Sequence, residues 1–232
     1  MFPATGPFGS ERHRNTGPEQ DMSRATPLIL ATAIFMENMD STVIATSLAA
    51  IAEDIGTDPI SLKLALTAYL VALAIFIPIS SWMADRFGAR RVFRLAMLVF
   101  MIGSIACAFS GSLAQFVGAR FIQGMGGAMM GPVARLVLVR MPPRHQLVDA
   151  MAWLTIPGLI GPIVGPPFGG FLTTYFSWHW IFIINIPIGL LGMALVGIAL
   201  PNETRNKPRR IDGKGFVLAG LAFALFAFGC SV

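Results

Sequence analysis

Residues 81–94 read Ser81-Trp-Met-Ala84-Asp85-Arg86-Phe-Gly88-Ala-Arg90-Arg91-Val-Phe-Arg94, a short basic segment turned by one glycine and set between two long apolar runs. One aspartate and four arginines fall within ten residues, whereas residues 71–83 and 95–109 carry no charge. Charge this dense requires water, and runs this bare avoid it. A membrane satisfies both demands, with the loop on the face that collects positive charge.

Composition points the same way. The 232 residues are 55% hydrophobic and 12% charged, with a mean hydropathy of +0.69; soluble domains carry about twice that charge. The 24 glycines and 16 prolines fall largely inside the apolar runs. They would disrupt a soluble helix but are common in membrane helices, where neighbouring helices satisfy the freed backbone. The net charge of +5 is spread over short loops and forms no long basic face, which argues against a nucleic-acid partner. Cys107 and Cys230 sit in apolar runs without metal-ligand spacing and read as small buried hydrophobes.

Six segments reach the roughly 20 apolar residues needed to cross a bilayer: residues 27–50, 62–83, 92–110, 113–139, 148–172 and 179–200. The expected organisation is a disordered cytoplasmic tail (1–25), a six-span unit (26–200), a cytoplasmic loop (201–214) and the start of a truncated seventh span (215–232). The tail lacks the apolar core of a signal peptide. Lysine and arginine set the orientation. Arg12, Arg14, Arg24, Arg86, Arg90, Arg91, Arg94, Arg140, Arg144, Arg205, Lys207, Arg209, Arg210 and Lys214 fall on one side; Lys63 stands alone on the other, beside Glu53, Asp54 and Asp58. The expectation is a multi-pass protein of the cell's inner (cytoplasmic) membrane, amino terminus in the cytoplasm, with Tyr175, Trp178 and Trp180 as an aromatic girdle on the outer face.

Charges remaining inside the spans are the candidates for function, since each costs about 2.5–3.5 kcal/mol to insert and needs a partner or a wet cavity. Glu37 and Asp40 lie three apart in the first span, with Asn38 and Thr42 nearby, and Arg120 and Arg135 lie in the fourth. Two readings are open: a proton-titratable carboxylate, or a static ion pair holding the first and fourth spans together. Arg120, Gln123, Gly124 and Gly127 recur at helical spacing as one polar, small-residue strip. In the fifth span Gly161, Gly165 and Gly169 stand four apart among Pro157, Pro162, Pro166 and Pro167, a close-packing face on a helix expected to bend. His13, His145 and His179 have no ligand-spaced companions, and no nucleophile is paired with a base, so neither a metal, a cofactor nor an enzymatic activity is expected.

Together these motifs resemble the major facilitator superfamily, in particular its fourteen-span drug:proton antiporter family of EmrB- and MdtD-like multidrug exporters. Ala84, Asp85, Arg86, Gly88 and Arg90 match the superfamily's loop signature, with Ser81 and Ala89 standing where it has glycine and arginine. Arg120-x-x-Gln123-Gly124 resembles the span-four motif. Gly161-Pro162-x-x-Gly165-Pro166-x-x-Gly169-Gly170 resembles the antiporter motif of span five. Residues 35–43 resemble the span-one motif, and residues 178–189, including Asn185 and Pro187, the start of span six. The resemblance implies an all-α membrane protein: the six-helix amino-terminal bundle of a major facilitator fold plus a partial seventh span. It implies proton-driven export of drugs or small organic compounds by alternating access. Glu37, Asn38, Asp40, Arg120 and Gln123 would then serve proton coupling and the substrate pathway. Asp85, Arg86, Gly88, Arg90 and Arg91 would form a conformational latch, Asp85 pairing with the other half. Its partners would be protons, a small organic substrate, the lipid bilayer and a carboxy-terminal half if encoded elsewhere. The alternative is a truncated, non-transporting membrane interaction protein, or a half-transporter needing a separate partner half.

Overall fold

A computed structural model of the chain describes residues 25–141 and 144–200, together with residues 220 and 222. The tail, the 201–214 loop and nearly all of the expected seventh span lie outside the described residues. The helices are α1 (Ala25–Ile55), α2 (Pro59–Phe87), α3 (Ala89–Ala108), α4 (Leu113–Arg140), α5 (Leu147–Tyr175), α6 (His179–Ile183) and α7 (Asn185–Ala199). A 3-10 turn, Arg144–Gln146, precedes α5. Six spans are long and apolar enough to cross a membrane, with α6 and α7 together forming the sixth. An apolar solvent leaves the backbone no partner but itself, which is why these six apolar runs, among the described residues, are helical.

The turns between spans are built by specific residues. Gly88 alone separates α2 from α3, at φ +92°, a backbone conformation that side-chain-bearing residues rarely adopt. Its N–H donates to the Ala84 carbonyl (2.9 Å), and its own carbonyl accepts from Val92 N–H (3.1 Å), so one residue ends one helix and starts the next. Gly56, at φ +70°, ends α1, and Pro59 opens α2 where a missing N–H costs nothing. Ser112 caps α4, its hydroxyl accepting from Gln115 N–H.

The sixth span departs from the unbroken helix expected over residues 179–200: it is interrupted at Ile184. Pro187 has no N–H to offer the Ile183 carbonyl, and its ring crowds that same residue. The fifth span does the reverse. Four prolines lie within α5, yet it stays helical throughout, with Pro162 and Pro167 on its exposed face.

Packing follows the small residues. α4 is held between α2 and α3, α1 lies along α5, and α7 joins α1 to α3. A Cβ built at Gly126 would stand 2.6 Å from the Ala96 carbonyl oxygen on α3, and one at Gly124 2.7 Å from the Tyr69 carbonyl oxygen on α2. Gly124 and Gly127 of the expected strip both lie beside Tyr69 of α2, and Gly126, outside that strip, gives α4 a second close-packing face toward α3. On α5, Gly161 and Gly169 lie against the α1 backbone at Phe35 and Val43 in the same fashion.

The core falls into two apolar clusters. One, built around Leu30, Phe93, Phe100, Met130 and Val137, fills the end of the bundle that carries Gly88 and Arg140. The other, around Ile51, Leu62, Phe116, Trp178 and Phe182, fills the opposite end. Trp178 is 5% exposed and packs edge-on to Phe116 and Phe182, with its indole N–H on Asp54 (3.2 Å). It is core, in contrast to the expected girdle position; Tyr175 and Trp180 are exposed.

Close approach at Gly126 makes a direct prediction. Gly126→Ala lowers the thermal midpoint of the detergent-purified chain by several degrees or prevents folding. Gly118→Ala, in the same helix but with nothing within 4 Å, leaves it level or raises it, because alanine gains about 0.5–1 kcal/mol over glycine in a helix.

Candidate functional site

Between the two apolar clusters lies a polar layer. Asp40, at the midpoint of α1, is 1% exposed, and Arg120, Gln123, Asn185 and Ser104 are 0% exposed. Arg120 Nη1 donates to Asp40 Oδ2 at 2.7 Å, and this ion pair is wholly buried. Gln123 and Asn185 each donate to Asp40 Oδ1 at 2.9 Å. Both amides also reach the Ser104 hydroxyl, Gln123 at 2.8 Å and Asn185 at 3.3 Å. Arg120 further donates to the Gln123 side-chain oxygen, toward which the Cys107 thiol also points at 3.8 Å. The guanidinium carbon stands 4.3 Å from the centroid of the Tyr69 ring.

Five of the six spans thus meet at one carboxylate and one guanidinium. The break at Ile184 is what presents Asn185, the first residue of α7, to this layer. A buried charge is tolerable only when paired and hydrogen-bonded, and both Asp40 oxygens meet that condition. Not every polar atom does: Tyr69 Oη, Arg120 Nε and Nη2, and Asn185 Oδ1 are buried without a hydrogen-bond partner in the protein.

Glu37, three residues from Asp40, is placed differently. It is half-buried, with its Cγ beside Gly127 of α4, and Arg135 lies close enough to act on it electrostatically. The two helices run in opposite directions, and side chains lean toward the amino end of their own helix, so Glu37 and Arg135 lean toward each other. Arg135 is exposed. It lines an open cavity of about 190 Å³ with Ile34, Asn38, Leu154, Thr155, Gly158, Leu159 and Pro162. Asn38 is fixed there by donating to the Gly158 carbonyl at 3.1 Å. The two span-one acids therefore occupy different environments: Asp40 is sealed and held by three donors, while Glu37 is half-buried beside Gly127, next in sequence to the groove-lining Asn38.

The five loop residues are dispersed around Gly88. Asp85 forms an ion pair with Arg140 of α4 at 2.7 Å, each side chain about one third exposed. This bond closes within the bundle; the expected partner, the other half, is not part of this structure. Arg90 donates to the Gly197 carbonyl in the last turn of α7, where a cation is favoured. Arg86 stacks over Trp82 and Phe87, with centroid distances of 5.3 and 5.8 Å, and Arg91 is exposed. Gly161, Gly165 and Gly169 are buried against α1, whereas Pro162 is exposed and Pro166 and Gly170 are half-buried.

Sequence reasoning missed Tyr69, Ser104 and the coordinating role of Asn185. Tyr69 left a signal: it is one of only two tyrosines, and it stands mid-span, away from the interface where tyrosine collects. A lone serine in an apolar run leaves none.

A bundle of six apolar helices with a charged layer sealed at its centre defines a multi-pass membrane protein. Its sequence matches the Major Facilitator Superfamily over residues 30–232. The chain belongs to that superfamily. It is 42% identical over 205 residues to MdtD of Salmonella paratyphi B, and 40% identical over 205 residues to MdtD of Escherichia coli O9:H4, both named for multidrug resistance. Each match takes in 88% of this chain and 43% of the relative, so the chain spans less than half the length of these relatives. The fold is similar to that of a D-xylose–proton symporter (TM-score 0.67, 16% identity, 89% of this chain and 53% of that one). It is also similar to the peptide transporter POT (TM-score 0.68, 18% identity, 88% and 45%).

Two stability outcomes follow. Arg120→Gln or Asp40→Asn alone costs about 3–5 kcal/mol by stranding a buried charge, and the double variant recovers part of that loss in thermal unfolding of the purified chain. Arg140→Ala, which breaks the exposed pair with Asp85, changes stability by less than about 1 kcal/mol.

Proposed function

We propose that this chain supplies the amino-terminal half of a proton-driven exporter of drugs or other small organic compounds. By the positive-inside rule the end bearing Gly88 and Arg140 faces the cytoplasm, in the inner membrane, with the amino terminus on that side. The observation that carries the reading is the division of the two span-one acids. Asp40 is held by Arg120, Gln123 and Asn185 in a sealed layer, whereas Glu37 is half-buried beside Gly127, next in sequence to Asn38, which lines a groove with Arg135. An intramembrane acid beside a groove can gain and lose a proton; one locked by three donors holds the bundle. The likeness to proteins named for multidrug resistance supports export of organic compounds.

In this mechanism a second half closes the groove, and the substrate binds between the halves. Transport is rocking of one half against the other about that midplane site. Protonation of Glu37 cancels its attraction for Arg135, frees the guanidinium to move, and so ties the proton to the state of the groove. The glycine face of α5 (Gly161, Gly165, Gly169) lets α1 ride directly on its backbone, and Pro162, Pro166 and Gly170 shape the outer side. The loop latch consists of Asp85, Arg86, Gly88, Arg90 and Arg91. Its Asp85–Arg140 bond is weak enough, at about 0–1 kcal/mol, to exchange for a bond to the second half.

The test is proton-driven dye efflux in everted vesicles carrying the chain within a complete two-half transporter. Glu37→Gln is expected to abolish efflux at unchanged expression, and Asp40→Asn to reduce both efflux and the amount of folded protein. Unaltered efflux in both variants would overturn the assignment.

A further inference from the structure

The Tyr69 side chain is 2% exposed and lies in the middle of the bundle, and its hydroxyl has no hydrogen-bond partner among the described residues. Leaving such a group unbonded is costly, so a partner within reach is expected to claim it. The Tyr69 ring is already fixed, stacked on Arg120 at 4.3 Å. Its free end opens on a gap beside α4 that exists because residue 127 is glycine. A Cβ there would lie 3.0 Å from Tyr69 Oη and 3.5 Å from Glu37 Cγ. The phenol and the glutamate therefore border the same gap from α2 and α1. Rotation about the outer bonds of the Glu37 side chain brings its carboxyl toward the phenol.

The charged groups around this gap are few. Glu37 is acted on by Arg135 of α4 and by Asp40 of its own helix, and Tyr69 by Glu37, Asp40 and Arg120. From α5 the nearest polar groups, at Gly158 and Thr155, are uncharged. Of these neighbours, Asp40 is already engaged by three donors, and Arg120 is itself a cation with nothing to accept. Asn185 Oδ1 also lacks a donor, but of the two open acceptors it is Glu37 whose side chain shares with the phenol the space left by Gly127.

We propose that Tyr69 is a positioning residue of the proton site: its hydroxyl donates a hydrogen bond to the Glu37 carboxyl, and its ring conveys the position of that carboxyl to Arg120 and hence to the Asp40 pair. The inference rests on Glu37 being the proton site. It gives the sealed layer and Glu37 a physical connection, through one side chain that stacks on Arg120 and ends beside the glycine that Glu37 also faces. Gly127 is part of the device, because any larger residue fills the space the two groups share.

Infrared spectroscopy of the 232-residue chain in lipid nanodiscs at low pH reads this contact directly. A protonated-carboxyl band that disappears in Glu37→Gln belongs to Glu37. In Tyr69→Phe, which keeps the ring on Arg120, that band is expected to move to higher wavenumber, as a carbonyl does on losing a hydrogen bond. Gly127→Ala is expected to move it the same way by separating the partners, and Thr155→Val, in the groove wall, to leave it in place. A band at the same position in Tyr69→Phe and in the unaltered chain overturns the proposal, as does the absence of any band that depends on Glu37. Efflux found to be independent of protons would instead remove the transport assignment, since the spectrum reads the contact without transport.

Discussion

The Arg120–Asp40 ion pair lies where neither charge could stand alone. Its 2.7 Å bond is closed to solvent on both sides by apolar clusters, and the surrounding membrane offers no water to an unpaired ion. Such a pair gains little net stability over apolar side chains, but breaking it is expensive. The asymmetry dictates the architecture. Gln123, Asn185, Ser104 and the Tyr69 face must all be delivered to one point, and each comes from a different part of the chain. The break at Ile184 and the close contacts at Gly103, Gly124 and Gly126 serve that delivery, bringing the spans to a distance at which short polar side chains meet.

Set against this fixed layer, the α1–α5 contact is made for movement. It rests on Gly158, Gly161, Gly165 and Gly169 meeting α1 from Ile34 to Thr46, with Asn38 donating to the Gly158 carbonyl across it. Interfaces of small residues have no interlocking side chains to disengage. On the far side of α5, Leu159, Ile163 and Pro162 are exposed, a surface suited to a second half. The open groove holding Arg135 and Asn38 lies at this contact, lined by Ile34 and Asn38 of α1 and by Leu154, Thr155 and Gly158 of α5.

Much of this was legible in the sequence because a membrane imposes a simple code. Spans of about 20 apolar residues and the basic loops located the helices to within a few residues, and the four intramembrane charges named the site. The pairing of those charges was not legible. Glu37 and Asp40 share a helix face at three-residue spacing, and only the packed bundle shows that one is sealed in a polar layer and the other half-buried outside it. The same holds for Trp178, whose aromatic character suggested an interface while its neighbours Phe116 and Phe182 draw it into the core. Asp85 found Arg140 because α2 and α4 end side by side, a fact of packing that linear spacing does not contain. Ser104 and Tyr69 matter only through what surrounds them.

The central claim is that the two acids of α1 have separate duties, Asp40 holding the bundle and Glu37 exchanging protons. Carbodiimide labelling of the chain in bilayers, mapped by mass spectrometry, tests it most directly, since the reagent modifies protonated carboxyls within apolar surroundings. The account predicts an adduct on Glu37 that grows as pH falls and none on Asp40. Labelling of Asp40 equal to or above that of Glu37 would contradict it.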